Sequence, residues 1–158
     1  MEDVTGFLEQ SGVDFDVLEH ERTDRAADEA KALDVALEEV AKTLVLASPG
    51  GNVRAVLPAS ERIDLHKVAA LLEVAGKKVH LATEDDLARD YAGFELGAVP
   101  PFGGPEDRVI VDERLSARDS VVLEAGSHEA SVRLKAADLV RLTEAQIADI
   151  TREEPEAR

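Results

Sequence analysis

The stretch Lys42-Thr43-Leu44-Val45-Leu46-Ala47, followed by Pro49-Gly50-Gly51-Asn52 and Val53-Arg54-Ala55-Val56-Leu57, decides the fold. Two apolar runs of strand length flank a turn whose glycines supply the positive φ that tight hairpins need. The first run continues for four apolar residues after Thr43, which marks a strand covered on both faces rather than one. A charge at its mouth, Lys42, loses hydration unless something polar or anionic meets it. Two readings fit that lysine: a strand-end side chain that reaches water along its stem, or a point charge offered to a phosphate or a carbonyl.

Outward from this hairpin, strands and helices interleave. Val4, Phe7 and Leu8 predict a short amphipathic helix ending at Ser11-Gly12, and Phe15–Glu19 alternates as a strand. Thr23 or Asp24 can cap a helix over Ala26–Leu33. Asp64 caps a helix carrying Leu65, Val68, Ala69 and Leu72, with Gly76 as its stop. Lys77–Ala82 reads as a strand, and Thr83 with Asp86 as the start of a helix that ends near Gly93. Val109–Val111, Val121–Leu123 and Ser131–Leu134 read as further strands. Ala136–Leu142 reads as a helix, and Thr143–Ile147 as the start of another. The pattern predicts an α/β (α+β) fold, a mixed sheet with flanking helices. Residues 1–152 read as one domain and 153–158 as a polar tail.

Composition narrows the chemistry. The 158 residues include no cysteine, which excludes disulfides, thiolate metal sites and a cysteine nucleophile. His20, His66, His80 and His128 show no i,i+4 pairing, and no Gly-x-Ser-x-Gly elbow or phosphate loop occurs. The expectation is therefore no metal and no cofactor. No basic n-region precedes an apolar stretch and no segment has the length of a membrane span, so a cytoplasmic protein without membrane contact is expected.

The net charge is −16, and only six of the eighteen basic residues are Lys. Such a surface repels a polyphosphate unless its cations are clustered or salt screens it, and at 1 M salt the Debye length falls to about 3 Å. Adaptation to high intracellular salt accounts for this composition, as does a merely acidic protein. Arg22, Arg25, Arg54, Lys77 and Lys78 are the candidate contacts for a nucleic acid.

A second irregular segment is Gly97-Ala98-Val99-Pro100-Pro101-Phe102-Gly103-Gly104. Glycine permits close backbone approach and two prolines fix φ, so this loop holds its amides and carbonyls in one shape. It is either a tight turn before the Val109 strand or a rigid wall for a ligand. Lys42 in its Lys-Thr-Leu-Val setting, together with this Gly-x-x-x-Pro element, resembles the YbaK-like family of aminoacyl-tRNA deacylases. These are free-standing relatives of the editing domain inserted in bacterial prolyl-tRNA synthetases. The resemblance runs from roughly Phe15 to Leu142.

That resemblance implies a curved, barrel-like mixed sheet and a trans-editing hydrolase that removes a wrong amino acid from the 3′ end of tRNA. It implies catalytic roles for Lys42, Gly97 and Gly126. It implies substrate contacts from Thr43, Ala98, Val99, Pro100 and Pro101, and from Ser127 and His128 in the loop Ala125–Glu129. That loop also fits a plain hairpin, and Asp138, in a context like the family's, also fits a first-turn helix charge. The implied partner is aminoacyl-tRNA, with an aminoacyl-tRNA synthetase as a second candidate. The alternative is a non-catalytic module that keeps the pocket and binds tRNA or a synthetase.

Overall fold

The computed structural model describes residues 4–20 and 26–153. The hairpin is present: β2 (Ala41–Ser48) pairs antiparallel with β3 (Gly51–Pro58), in a register that sets Lys42 opposite Leu57 and Ser48 opposite Gly51. Gly51 has φ +122°, which a side chain at that position would strain.

Preceding elements are α1 (Val4–Gln10), β1 (Phe15–Glu19) and α2 (Ala26–Leu33). After the hairpin come α3 (Leu65–Leu72), β4 (His80–Leu81), α4 (Glu84–Asp90) and β5 (Arg108–Asp112). The chain then forms α5 (Glu113–Ser116), β6 (Ser120–Ser127), β7 (Ala130–Lys135), α6 (Ala136–Thr143) and β8 (Gln146–Ala148).

Among the described residues the strands form two sheets: a mixed one in the order β4-β2-β3-β5-β8 and an antiparallel one in the order β1-β7-β6. Among the described residues, one parallel backbone bridge, between Val40 just before β2 and Val122 of β6, links the two. The mixed α/β architecture matches the expectation, while these hydrogen bonds close no barrel.

Both faces of the β2–β3–β5 unit are covered, as its apolar runs require. Val45, Val56, Val109 and Val111 pack into one core with α1, α6 and the second sheet. Leu46, Val53, Ala55 and Ile110 pack into another with Val68 and Ala69 of α3. The alternation of the two sets along each strand is the period-2 pattern of a strand buried on both sides.

Local signals at helix starts hold. Asp64 accepts from the backbone N–H groups of His66 and Lys67, and Thr83 and Asp86 form a reciprocal capping box. The predicted caps Thr23 and Asp24 lie outside the described residues.

Three expectations are corrected. Helix α3 stops at Glu73, which adopts a left-handed conformation (φ +58°), and not at Gly76. Gly76 instead opens a 3₁₀ turn through Lys78, so the predicted strand over Lys77–Ala82 shrinks to His80 and Leu81. Thr143–Ile147 begins no helix. Glu144, also left-handed, ends α6, and the chain continues as β8, parallel to β5 with Ile147 opposite Val111. No helix among the described residues is long and apolar enough to cross a membrane.

Candidate functional site

Lys42, Thr43 and Leu44 of β2 line a cavity of about 140 Å³ together with Gly97, Ala98 and Val99. Ala41, Glu29 of α2 and Glu124 of β6 complete its wall. The volume is below the ~300–1,000 Å³ usual for small-molecule pockets, a size that favours a small group over a large one. A larger hollow of about 660 Å³ lies beyond the hairpin, lined by Asn52, Arg89, Asp90 and Asp107 among others. Several of its polar groups already have partners: Arg89 pairs with Asp86 and Asp90, Asn52 bonds to Asp90, and Asp107 pairs with Arg54.

The Lys42 ammonium donates to the carbonyl oxygen of Glu61 at 2.6 Å. Burial, followed by repulsion from Arg62, holds its pKa below the usual lysine value, and Glu61 offsets part of this. The lysine is thus half-buried and presented at the cavity with one hydrogen bond of its own.

The glycine–proline loop has the rigidity expected of it, and much of that comes from a residue assigned elsewhere. Gly97 adopts φ +82°, and a Cβ there would lie 3.4 Å from the His128 ring. Arg54 is 1% exposed. Its guanidinium donates to the carbonyls of Pro100 (2.7 Å), Gly103 (2.6 Å) and Pro105 (3.0 Å) and to the Asp107 carboxylate (3.0 Å). It also lies 5.0 Å above the Tyr91 ring, whose hydroxyl donates to Asp107. The expectation that Arg54 contacts nucleic acid is therefore corrected. A planar fork with several donors suits three converging carbonyls, and a buried arginine must spend its donors inside the protein. Lys77 and Lys78 are exposed, whereas Arg22 and Arg25 lie outside the described residues.

The other candidates divide. Thr43, Ala98 and Val99 line the cavity; Pro100 and Pro101 do not line it and are buried at the base of the loop, where the Pro100 carbonyl accepts from Arg54. Gly126 (φ +92°) sits in a bulge of β6, packed against Phe94 and Val4, and its carbonyl accepts from the Glu95 N–H at 3.0 Å. Ser127 accepts from the N–H of Glu129 within the hairpin turn. His128 is buried behind the wall, with Nδ1 2.8 Å from Glu124 Oε2 and Nε2 2.7 Å from the Leu96 carbonyl. Of the third loop, His128 stands behind the cavity against Glu124, and Gly126 and Ser127 do not line it. Asp138 pairs with Arg141 on α6, the first-turn role, and does not line the cavity.

Residues 20–142 match the model of the aminoacyl-tRNA editing domain. The chain belongs to that family. Over 151 residues it is 30% identical to the multifunctional Ser/Thr-tRNA deacylase ProXp-y of Escherichia coli strain K12, covering 92% of this chain and 89% of that protein. Among solved structures, a candidate trans-editing enzyme for prolyl tRNA synthetase superposes with a TM-score of 0.85 at 28% identity, covering 95% of both chains. A scaffold protein used for grafting linear epitopes superposes with a TM-score of 0.86 at 27% identity, covering 96% of both chains.

Within this editing domain, sequence reasoning missed Glu29 and Glu124. Glu29 is 1% exposed although it stands in a charged helix. Burial pushes its carboxyl pKa up, offset by Ser131, His20 and His128. Burial and then the neighbouring Glu29 push Glu124 up to about 8, with His128 opposing and Glu95 adding to the rise. Among the described residues, no group of three or more His, Asp and Glu side chains is placed to hold a metal ion.

Proposed function

We propose that this protein is a trans-acting editing enzyme that hydrolyses the ester between a wrongly attached amino acid and the terminal ribose of tRNA. The observation that carries the reading is that Lys42 and the Gly97–Val99 backbone, far apart in sequence, line one small cavity. The family membership and the similarity to a Ser/Thr-tRNA deacylase support it, and make seryl- and threonyl-tRNA the first substrates to try. Residues 1–152 act as one editing domain on the acceptor end of aminoacyl-tRNA in the cytoplasm, free-standing or beside a synthetase.

The chemistry demands little of the protein, because an aminoacyl ester is already activated. Lys42 anchors the terminal phosphate or polarises the ester carbonyl, and the Gly97–Val99 backbone fixes its position. A water molecule, helped by the 2′-hydroxyl of the ribose, attacks the carbonyl carbon; the C–O bond to the ribose breaks, and the ribose oxygen takes up the proton. Positioning and backbone electrostatics supply most of the rate in such a scheme. Gly126, Ser127, His128, Pro100 and Pro101 contribute by holding the wall in shape. The −16 charge fits a protein that works at high salt, where repulsion of tRNA is screened.

The test is single-turnover deacylation of a panel of mischarged tRNAs at low and at molar KCl. Hydrolysis of at least one small aminoacyl-tRNA well above the spontaneous rate, strengthened by KCl, is expected. Binding of tRNA without turnover of any ester at either salt concentration would replace the enzyme by a binding module.

A further inference from the structure

Glu29 and Glu124 face the same cavity as Lys42 from two different elements, α2 and β6. Each carboxyl is steered from behind. Ser131 donates its hydroxyl proton to Glu29 Oε2, and the Ser131 oxygen is itself 2.9 Å from His20 Nε2. Glu124 Oε2 lies against His128 Nδ1, while the other ring nitrogen of His128 engages the Leu96 carbonyl and its backbone N–H donates to Glu95. Among the described residues, no Lys or Arg makes an ion pair with either carboxyl, and the lysine of this cavity bonds instead to Glu61.

Two desolvated acids on one small cavity are costly, because burial disfavours the charge of each and neighbouring like charge adds to it. Their raised pKa values reflect that cost. Supporting groups that fix the orientation of both carboxyls make the arrangement a prepared one. Its natural complement is a cationic group small enough to enter, able to donate to both acids at once. On the reading above, the ligand carries such a group: the α-ammonium of an aminoacyl ester, on the carbon next to the reacting carbonyl.

We propose that Glu29 and Glu124 seat the α-ammonium group of the aminoacyl ester, and thereby hold its carbonyl against Lys42 and the Gly97–Val99 backbone. The incoming cation takes over from the proton that Glu124 retains, so binding releases a proton. The seat also sets a specificity. An ester whose nitrogen is acylated, as in peptidyl-tRNA, carries no charge there and is refused. The inference rests on the deacylase reading, but its failure can be told apart from the failure of that reading.

Seryl-tRNA and its α-hydroxy analogue, made by nitrous-acid deamination, differ by a hydroxyl in place of the ammonium. With each enzymatic rate divided by the spontaneous rate of the same ester, the wild type should favour the ammonium ester roughly 30-fold or more, the scale of a lost buried charge pair. Glu29→Gln and Glu124→Gln keep the shape of each side chain and remove its charge. Each should raise KM for seryl-tRNA more than it lowers kcat, and leave the hydroxy ester within a few-fold of wild type. Equal treatment of the two esters by the wild type, or an undiminished preference in both folded variants, overturns the proposal. Should the wild type hydrolyse neither ester, amide-linked, non-hydrolysable forms of the same two ligands decide it by calorimetry. Tighter binding of the ammonium form with proton release upholds the seat without turnover, and equal affinities overturn it.

Discussion

Arg54 donates from Nη1 to the carbonyl oxygen of Pro100 at 2.7 Å, which ties the second strand of the central hairpin to the loop that walls the cavity. The same guanidinium holds Gly103 and Pro105, so one buried side chain fixes the loop at three successive points. The rigidity that two prolines suggest in the sequence is completed from a strand over forty residues away.

Removing this brace should cost both stability and function. Arg54→Met leaves three carbonyls without this donor and takes the cation from the Asp107 carboxylate, whose side chain is 8% exposed. Loss of one partner of a buried ion pair costs about 3–5 kcal/mol. Arg54→Lys keeps the charge but cannot spread donors over four acceptors, so it should recover only part of the loss. Melting curves and deacylation rates for both variants check this. A Met variant that melts like wild type would show that the prolines alone hold the loop.

Gly97 should tolerate no side chain. Its φ of +82° already disfavours any L-residue by roughly 1–2 kcal/mol. An added Cβ would also sit 3.4 Å from Cε1 and Nε2 of His128, the ring behind Glu124. Gly97→Val should therefore displace the wall and reduce deacylation by about 100-fold, the scale of a 1 Å misplacement. The overall fold should survive, since Gly97 itself is exposed and lies outside every strand and helix. Unchanged turnover in a folded Gly97→Val protein would make this segment a simple turn.

The buried acids make stability depend on pH in a direction opposite to that of a salt-bridged carboxylate. The Glu124 carboxyl is raised from 4.5 to about 8, so between these values the folded state retains a proton that the unfolded state has lost. Stability contributed by that proton is fully present below the unfolded pKa and disappears as pH rises through the folded value. Glu124→Gln should flatten the decline between about pH 5 and pH 8, as read by melting temperature across that range. Parallel profiles for wild type and variant would mean that Glu124 is not held protonated by its surroundings.

The parts of the fold legible in the sequence are those decided by neighbours along the chain. Asp64 caps the helix it precedes, Thr83 and Asp86 close their box across three residues, and the hairpin glycines turn where they stand. What escaped was set by distant partners. Glu29 lies in Ala-Ala-Asp-Glu-Ala-Lys, which has the composition of a solvated helix face. It is buried because Ser131, 102 positions later, meets it from β7. Arg54 interrupts an apolar strand, the one local hint that something had to receive it; the receiving carbonyls belong to a loop whose shape only the folded chain reveals. The cavity residues Lys42, Thr43, Gly97, Ala98 and Val99 were found through a family pattern, and the acids opposite them have no such local signature.

Lys42 separates catalysis from architecture. Its ammonium holds the Glu61 carbonyl at 2.6 Å, so a structural role in fixing the turn after β3 competes with a role in the reaction. Lys42→Ala removes both. The folding cost should be small, because a single hydrogen bond is worth about 1 kcal/mol and the desolvation of a half-buried charge is relieved in return. The catalytic cost should be large: losing ~3 kcal/mol of transition-state stabilisation lowers the rate by about two orders of magnitude. Lys42→Arg preserves charge but replaces a compact ammonium with a wide planar fork in a cavity of about 140 Å³, so it should rescue poorly. Single-turnover deacylation alongside melting curves distinguishes the roles. Equal rates in wild type and Lys42→Ala would remove the lysine from the reaction, and loss of activity only in step with loss of folding would make it a structural residue.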